Sequence, residues 1–356
     1  MVRSIFWAEW WAAILPRGFS VALAISLGLI TTCALAETLP DHCGCVTQWT
    51  AVTAVGLRPF NLFQAVDAKV LLAAADRCLQ KSEDGGEHWR DIYCIGSAAP
   101  HFTAPPLGDL QALSRDEIWL LEGNHTLLHT VDGGLTWARQ VFPELTWRRF
   151  RFHDSRTGWL VGERTVNDGD PDVVGAAAVT RDGGEHWQEV NLGVSLPYRW
   201  RLHSVWPATV ESAWVMGDVA LRTSDEGATW QPLSIASVDM TSPGRLSVQF
   251  RDNGFGWVRE SRSVDLLITH DRGESWEQRT LPGGIATTMD MLPIGASAAL
   301  LASSDLYCSE DSGQTWRTIF SSDPSAAVEH LWYVAGQDLV IASGGRPTLF
   351  VGRCIR

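Results

Sequence analysis

Thr180-Arg181-Asp182-Gly183-Gly184-Glu185-His186-Trp187 is one of six copies of a single eight-residue phrase in this chain. The other copies run from Ser82 to Trp89, Thr130 to Trp137, Thr223 to Trp230, Thr269 to Trp276 and Ser309 to Trp316. Their common form is Ser/Thr-x-Asp-x-Gly-x-Thr/Ser/His-Trp, with Asp84, Asp132, Asp182, Asp225, Asp271 and Asp311 in third place. Successive box tryptophans are 48, 50, 43, 46 and 40 residues apart. A period of that length marks a solenoid or a propeller. Each residue type has a mechanical reason to be there. Asp accepts hydrogen bonds from backbone amides a few residues on and so fixes a tight turn. Gly, two places later, tolerates a positive φ that a Cβ would penalise. The Thr, Ser or His before Trp supplies a polar contact within the turn, and Trp fills space beneath it. Each box therefore reads as a hairpin turn between two strands.

The flanking sequence completes the unit. Ahead of the boxes stand short apolar segments such as Ile118-Trp-Leu-Leu121, Gly158-Trp-Leu-Val161, Ala213-Trp-Val-Met216 and Gly256-Trp-Val258. Another strand leads into each box, as in Leu127-Leu-His-Thr130, and one leads out, as in Trp187-Gln-Glu-Val190. A fourth precedes the Gly-Trp segment, as in Arg149-Phe-Arg-Phe152. Four short strands per repeat make the blade of a propeller. The tail from Val328 to Arg356 holds three more strand-like segments and then stops before any box. The missing strand stands near the other end, in Thr47-Gln-Trp-Thr-Ala-Val52. The expectation is an all-β, seven-bladed propeller of four-stranded blades, its last blade closed by N- and C-terminal strands. Closure of that kind removes exposed sheet edges.

Residues 1–36 read as a targeting segment. Arg17 precedes an apolar run from Phe19 to Ile30, and Ala34-Leu-Ala36 fits a cleavage site. Cleavage after Ala36 and retention as a membrane anchor both remain open, and residues 37–356 are expected to form the single propeller domain. The chain carries a formal charge of −13, which becomes −14 without residues 1–36. An acidic surface repels phosphate backbones, which argues against a nucleic-acid partner. Six cysteines follow the leader, an even count that permits disulfides in an exported chain. Cys78 and Cys94 flank the first box on opposite strands, and Cys354 is placed to pair with Cys43 or Cys45 across the closure. The spacing does not match a metal site.

The six boxes resemble the neuraminidase-type or Asp-box repeats of sialidases, some endoglucanases and sortilin-type receptors. Arg149-Phe-Arg-Phe-His-Asp-Ser-Arg-Thr-Gly-Trp-Leu-Val-Gly-Glu163 and Leu127-Leu-His-Thr-Val-Asp-Gly-Gly-Leu-Thr-Trp137 are most similar to the photosystem II stability/assembly factor family. That resemblance spans nearly all of residues 45–356. It implies a non-enzymatic, monomeric propeller without cofactor, on the lumenal or periplasmic side or outside the cell. Its partner would be a membrane or envelope protein client under assembly, and membrane association would run only through the N-terminal segment.

The rival class is a carbohydrate-active hydrolase. A sialidase would need an arginine cluster and a Tyr–Glu pair, and the Phe/Tyr-Arg-Ile-Pro motif of that family is absent. Other glycosidases need two carboxylates facing each other across a cleft. Asp109, Asp116, Glu122, Glu163 and Asp218 are candidates, but sequence does not pair them. The six box aspartates recur in every repeat as turn chemistry, whereas an active site is asymmetric. His88 and His186 occupy a slot that is Thr or Ser elsewhere, which argues against metal ligation. The loop Asn167–Asp172 collects three carboxylates, and a polar loop is the plainer reading. One asymmetry stands out. Basic and aromatic residues interleave at Arg148, Arg149 and Arg151 and at Arg199, Trp200 and Arg201, with Arg245 at a related place. Arg and aromatics dominate protein interfaces, and Arg pairs bidentately with carboxylates. These residues form the candidate client-binding patch; the competing reading has them pairing with local acids.

Overall fold

The computed structural model describes residues 49–52, 54–75, 77–96, 107–165, 173–193, 200–232, 246–250, 254–260, 265–271, 273–281, 290–294, 297–303, 305–321, 328–334, 339–344 and 349–353. Twenty-eight strands form seven antiparallel sheets of four. Blades 1 to 6 occupy residues 62–94, 107–141, 145–189, 202–232, 246–280 and 290–321. Blade 7 joins Val328–Val334, Leu339–Gly344 and Leu349–Arg353 to Trp49–Val52. In that blade Trp49 stands opposite Gly352 and Val52 opposite Leu349, so the two chain ends share one sheet. This is the closure expected from the incomplete seventh repeat. All seven blades lie in one compact unit, Thr38–Arg356. Cys43, Cys45 and Cys354, like residues 1–36, Asn167–Asp172, Arg199 and Arg245, lie outside the described residues.

The first strands of blades 1 to 5 touch in succession, as do those of blades 6 and 7 and of 7 and 1, and they ring the axis. Side chains alternate across each strand, so every blade has two apolar faces that must be covered. The core accordingly sits between blades. Seven buried clusters fill the seven junctions. Trp159, Val161 and Ala177 of blade 3, for instance, pack on Val205, Val215 and Leu221 of blade 4.

The boxes close the outer hairpins as expected. In each, the aspartate Oδ1 accepts the N–H of the seventh residue at 2.8–3.0 Å. Its Oδ2 takes the side chain of that same residue, whether His88 Nδ1 at 2.7 Å or Thr136 Oγ1 at 2.6 Å. The opening Ser or Thr is the buried member. Its hydroxyl donates to the aspartate and accepts the N–H of the fifth residue, as Thr180 does for Asp182 at 2.8 Å and for Gly184 at 2.8 Å. Bonds from the His88 N–H and ring hold Asp84 down at about 2, and those from His186 do the same for Asp182. These carboxylates stay charged over the physiological range.

The glycine in fifth place has a second duty. Besides a φ of +82°, +87° and +84°, Gly184, Gly227 and Gly273 lie against Trp119, Trp159 and Trp214 of the preceding blade. A Cβ on them would come within 2.4, 2.7 and 2.4 Å of the indole ring. The box tryptophans then meet the same neighbours edge-on: Trp230 on Trp159 with centroids 5.6 Å apart, and Trp276 on Trp214 at 5.9 Å. Each box thus ties its hairpin and seats its blade on the one before.

Inner strands are clamped by polar side chains that reach the backbone of the next blade. Gln64 exchanges two hydrogen bonds with Ala112, and Gln111 does the same with Phe152. Asp109 accepts the Phe150 N–H at 2.9 Å, and Asp290 accepts the Leu331 N–H at 2.9 Å. The two aspartates are equivalent in the repeat, but their surroundings differ. Asp109 faces Arg149 and Arg151, whereas His330 and Trp332 stand at those places beside Asp290. Desolvation raises the Asp290 carboxyl to about 6, against the pull of bonds from Leu331, Met291 and Gln249.

Two predictions follow from these contacts. Gly227→Ala combines a disallowed φ with an indole clash and should lower unfolding free energy by about 3 kcal/mol, read by chemical denaturation. A loss no larger than that of Ala at an exposed loop glycine would contradict this packing. Asp290 holds its proton to higher pH folded than unfolded. Its stabilisation is complete below about 3.8 and is lost as pH rises through about 6. The advantage of Asp290→Asn over the parent should therefore grow by on the order of 2 kcal/mol between pH 4.5 and 7. Parallel stability curves for the two proteins would refute it.

Candidate functional site

Arg148 and Arg201 meet where blades 3 and 4 adjoin, at the strand ends remote from the boxes, while Arg149 and Arg151 lie farther along the first strand of blade 3 and face blade 2. The first strand of blade 3, Leu145–Phe152, opens with a bulge at Arg148. The bulge is possible because Gly162 lies opposite. A Cβ there would fall 2.0 Å from the Thr146 carbonyl oxygen, and Gly217 repeats the arrangement against Arg201 in blade 4. The extra residue lets Arg148 lie flat on Glu163, with Nε and one terminal nitrogen each 2.5 Å from a carboxylate oxygen. This is a fork-to-fork pair, the strongest form of the contact. Arg201 approaches the same carboxylate at 3.6 Å from across the junction, and its own N–H donates to Asp218. Glu163 is thus almost buried between two guanidiniums.

Farther in, Arg151 donates to Asp109 Oδ2 at 2.7 Å and to its own neighbour's carbonyl, Phe150 O. Arg149 donates one nitrogen to the Gly108 carbonyl and lies 3.7 Å from Asp109. The predicted patch therefore divides. Arg148 and Arg151 are two-thirds covered and committed to buried acids. Arg149 and Arg201 keep 41% and 44% of their side chains exposed and make looser contacts. Trp200 is buried against Gly175, where it packs the junction of blades 3 and 4.

Four of the five candidate hydrolytic acids are likewise engaged, Asp116 being exposed in the turn after Ser114. Besides Asp109, Glu163 and Asp218, Glu122 accepts Arg139 at 2.7 Å and the Tyr93 hydroxyl at 2.5 Å. That contact and burial push the Tyr93 phenol up to about 12, with burial the larger cause. Asp84, Glu87 and His88, and the matching Asp182, Glu185 and His186, could in principle hold a cation. In both groups, however, the histidine Nδ1 is taken by the box aspartate. Cys78 and Cys94 stand opposite each other on the outer strands of blade 1 and are bonded. Cys308, left out of the expected pairs, is also disulfide-bonded.

Sequence reading missed the inner clamps. The signal was present: Gln64, Gln111 and Gln249 each stand one place before the end of a first strand. Glu163 stood out only as a candidate hydrolytic acid; its pairing with Arg148 gave no signal, since it depends on a bulge one strand away.

Fold and boxes together define a seven-bladed Asp-box propeller. No family model matches the chain. It is similar to the photosystem II assembly lipoprotein Ycf48 of Synechococcus sp. (strain CC9902), with 22% identity over 309 residues, 74% of this chain and 87% of the relative. A solved structure of Ycf48 bound to a D1 peptide covers 86% of this chain and 95% of its own, with a TM-score of 0.61 and 18% identity. A virginiamycin B lyase from Staphylococcus aureus covers 86% of this chain and 99% of its own, with a TM-score of 0.64 and 11% identity. The seven-bladed frame is therefore shared with an enzyme as well.

Glu163→Gln should leave Arg148 without its counter-charge in a half-buried place and lower unfolding free energy by about 1–2 kcal/mol. The double variant with Arg148→Met should recover part of that loss. Purely additive losses would mean that the pair is not coupled.

Proposed function

We propose that this chain is an exported, non-enzymatic scaffold that binds a membrane-protein client during assembly, in the manner of photosystem II assembly factors. Its similarity to Ycf48 along most of both chains carries this reading. The solved Ycf48 complex with a D1 peptide supports a peptide segment as the thing bound. The lipoprotein description of that relative supports export through residues 1–36, with the propeller facing a lumen or periplasm.

The chemistry of the channel mouth supports a carboxylate-bearing segment. Arg149 and Arg201 are the more exposed cations with the looser contacts, and Arg148 and Arg151 hold the surrounding frame through Glu163 and Asp109. In an acidic chain such a local excess of guanidinium is selective, because the overall field repels anions that do not reach it. Arg199 and Arg245 belong to the same proposal on sequence grounds. Catalysis is not part of it: of the acids a glycosidase would need, Asp109, Glu122, Glu163 and Asp218 are each satisfied by a guanidinium, a backbone N–H or a phenol.

The test is binding of a D1 peptide followed by fluorescence anisotropy. Arg149→Glu combined with Arg201→Glu should weaken binding by at least about tenfold and flatten its salt dependence. Unchanged affinity would exclude the patch, and no binding by the parent protein would exclude this client.

A further inference from the structure

The two ends of the blades carry different features, and the second lies at the box end, between blades 3 and 4. In blades 1 to 4 the first two strands are joined by a tight turn with a polar lead residue: Asp67, Ser114, Asp154 and Thr209. Each accepts N–H groups two and three residues on. At the junction of blades 1 and 2, two long basic side chains fill the space beside these turns. Arg115, which follows Ser114, reaches back to Asp67 Oδ2 at 2.6 Å. Lys81, which precedes the box Ser82, is buried and donates to the Arg115 carbonyl at 3.0 Å.

At the junction of blades 3 and 4 both are gone. Val179 stands where Lys81 does, and Val210 where Arg115 does. What remains is a cleft of about 320 Å³, lined by the two valines with Asp154, Arg156, Arg181 and Glu226. Val179 is buried, while Val210 is an exposed apolar side chain. Arg181 is already neutralised, with Nε 2.7 Å from the Glu226 carboxylate and a terminal nitrogen 2.8 Å from its carbonyl. Asp154 uses Oδ1 for the N–H groups of Arg156 and Thr157. Its Oδ2 has no hydrogen-bond partner among the described residues. Burial works against the charge, but the bonds from Thr157 and Arg156 outweigh it and keep the carboxyl below its usual range.

We propose that this cleft is a receptor for a basic side chain, an arginine, from a partner peptide. The guanidinium would meet Asp154 Oδ2 as Arg115 meets Asp67, and the methylenes would cover Val179 and Val210. The cleft is the imprint of two basic side chains that the repeat carries elsewhere, so the fold itself shows what fits. The net charge of −13 draws basic segments toward it. The site stands apart from the Arg148–Glu163 pair: Asp154 follows the far end of the strand that begins near Arg148.

Methyl NMR of the full propeller tests this, with Nα-acetyl-arginine amide as the probe and Nα-acetyl-glutamate amide as its counterpart. The arginine probe should shift the Val179 and Val210 methyls saturably. Asp154→Asn, which keeps the Oδ1 acceptor of the turn, should weaken that response at least about fivefold. Val210→Arg, at an exposed position, should supply the guanidinium from within and abolish it while the remaining spectrum is preserved. A response to the glutamate probe alone would assign recognition to Arg156 and overturn the proposal. Equal arginine binding by Asp154→Asn, or no shift with either probe, would overturn it too.

Discussion

The close seat of a box glycine on a side chain of the preceding blade, an indole at three boxes and an aliphatic side chain at two more, is the constraint on which most of the ring depends. A four-stranded blade has two apolar faces and no core of its own, so it is stable only when covered on both sides. Gly184, Gly227 and Gly273 let a hairpin turn approach Trp119, Trp159 and Trp214 closely enough to bury both. The same residue must turn the chain with a positive φ. Two independent demands, one local and one between blades, therefore fall on a single position. All six fifth-place glycines have a positive φ, and five also press on a side chain of the preceding blade, an indole in three and Leu349 or Ile92 at Gly86 and Gly134; at Gly313 the φ alone demands glycine.

Around the axis the demand changes. Inner strands of neighbouring blades are close but not paired in one sheet, so their facing N–H and C=O groups need partners. Amide side chains serve well, because Gln64 and Gln111 each offer one donor and one acceptor to the C=O and N–H of one residue of the next blade. Carboxylates offer acceptors only and bring a charge. Asp109 is compensated by two arginines of blade 3. Asp290 has His330 and Trp332 in the corresponding places, and its carboxyl rises accordingly. The arginines at the channel mouth are thus partly explained by structure: they balance acids that the ring closure uses.

What could be read from sequence follows this division. The turn, the strand order and the split seventh blade were legible because Asp, Gly and Trp recur at fixed offsets and each acts within its own repeat. The opening Ser or Thr of the box was visible as a pattern but not as a role, since its burial depends on the hairpin folding over it. A pairing of the arginines with local acids was legible, but Glu163 as the partner of Arg148 was not. That partnership depends on a bulge, and on Gly162 making room for it. Cys78 and Cys94 could be matched because they flank one hairpin, while Cys308, on the third strand of blade 6, has no partner within its own repeat.

A ring of near-identical blades has no preferred place for function, so function must enter where the repeat is broken. Two kinds of break occur here. Near the channel mouth, residues are added: a bulged arginine and a buried glutamate that no other described junction carries together. Between blades 3 and 4 at the box end, residues are reduced, two long cations giving way to two valines beside an aspartate that is otherwise unchanged. Addition can be seen as an unusual cluster in one line of sequence. Reduction becomes visible only when equivalent positions of different blades are superposed, because a valine on a strand is unremarked until a lysine is found in its place. The repeats themselves supply the comparison, and the space the valines leave is measured by side chains the protein already contains.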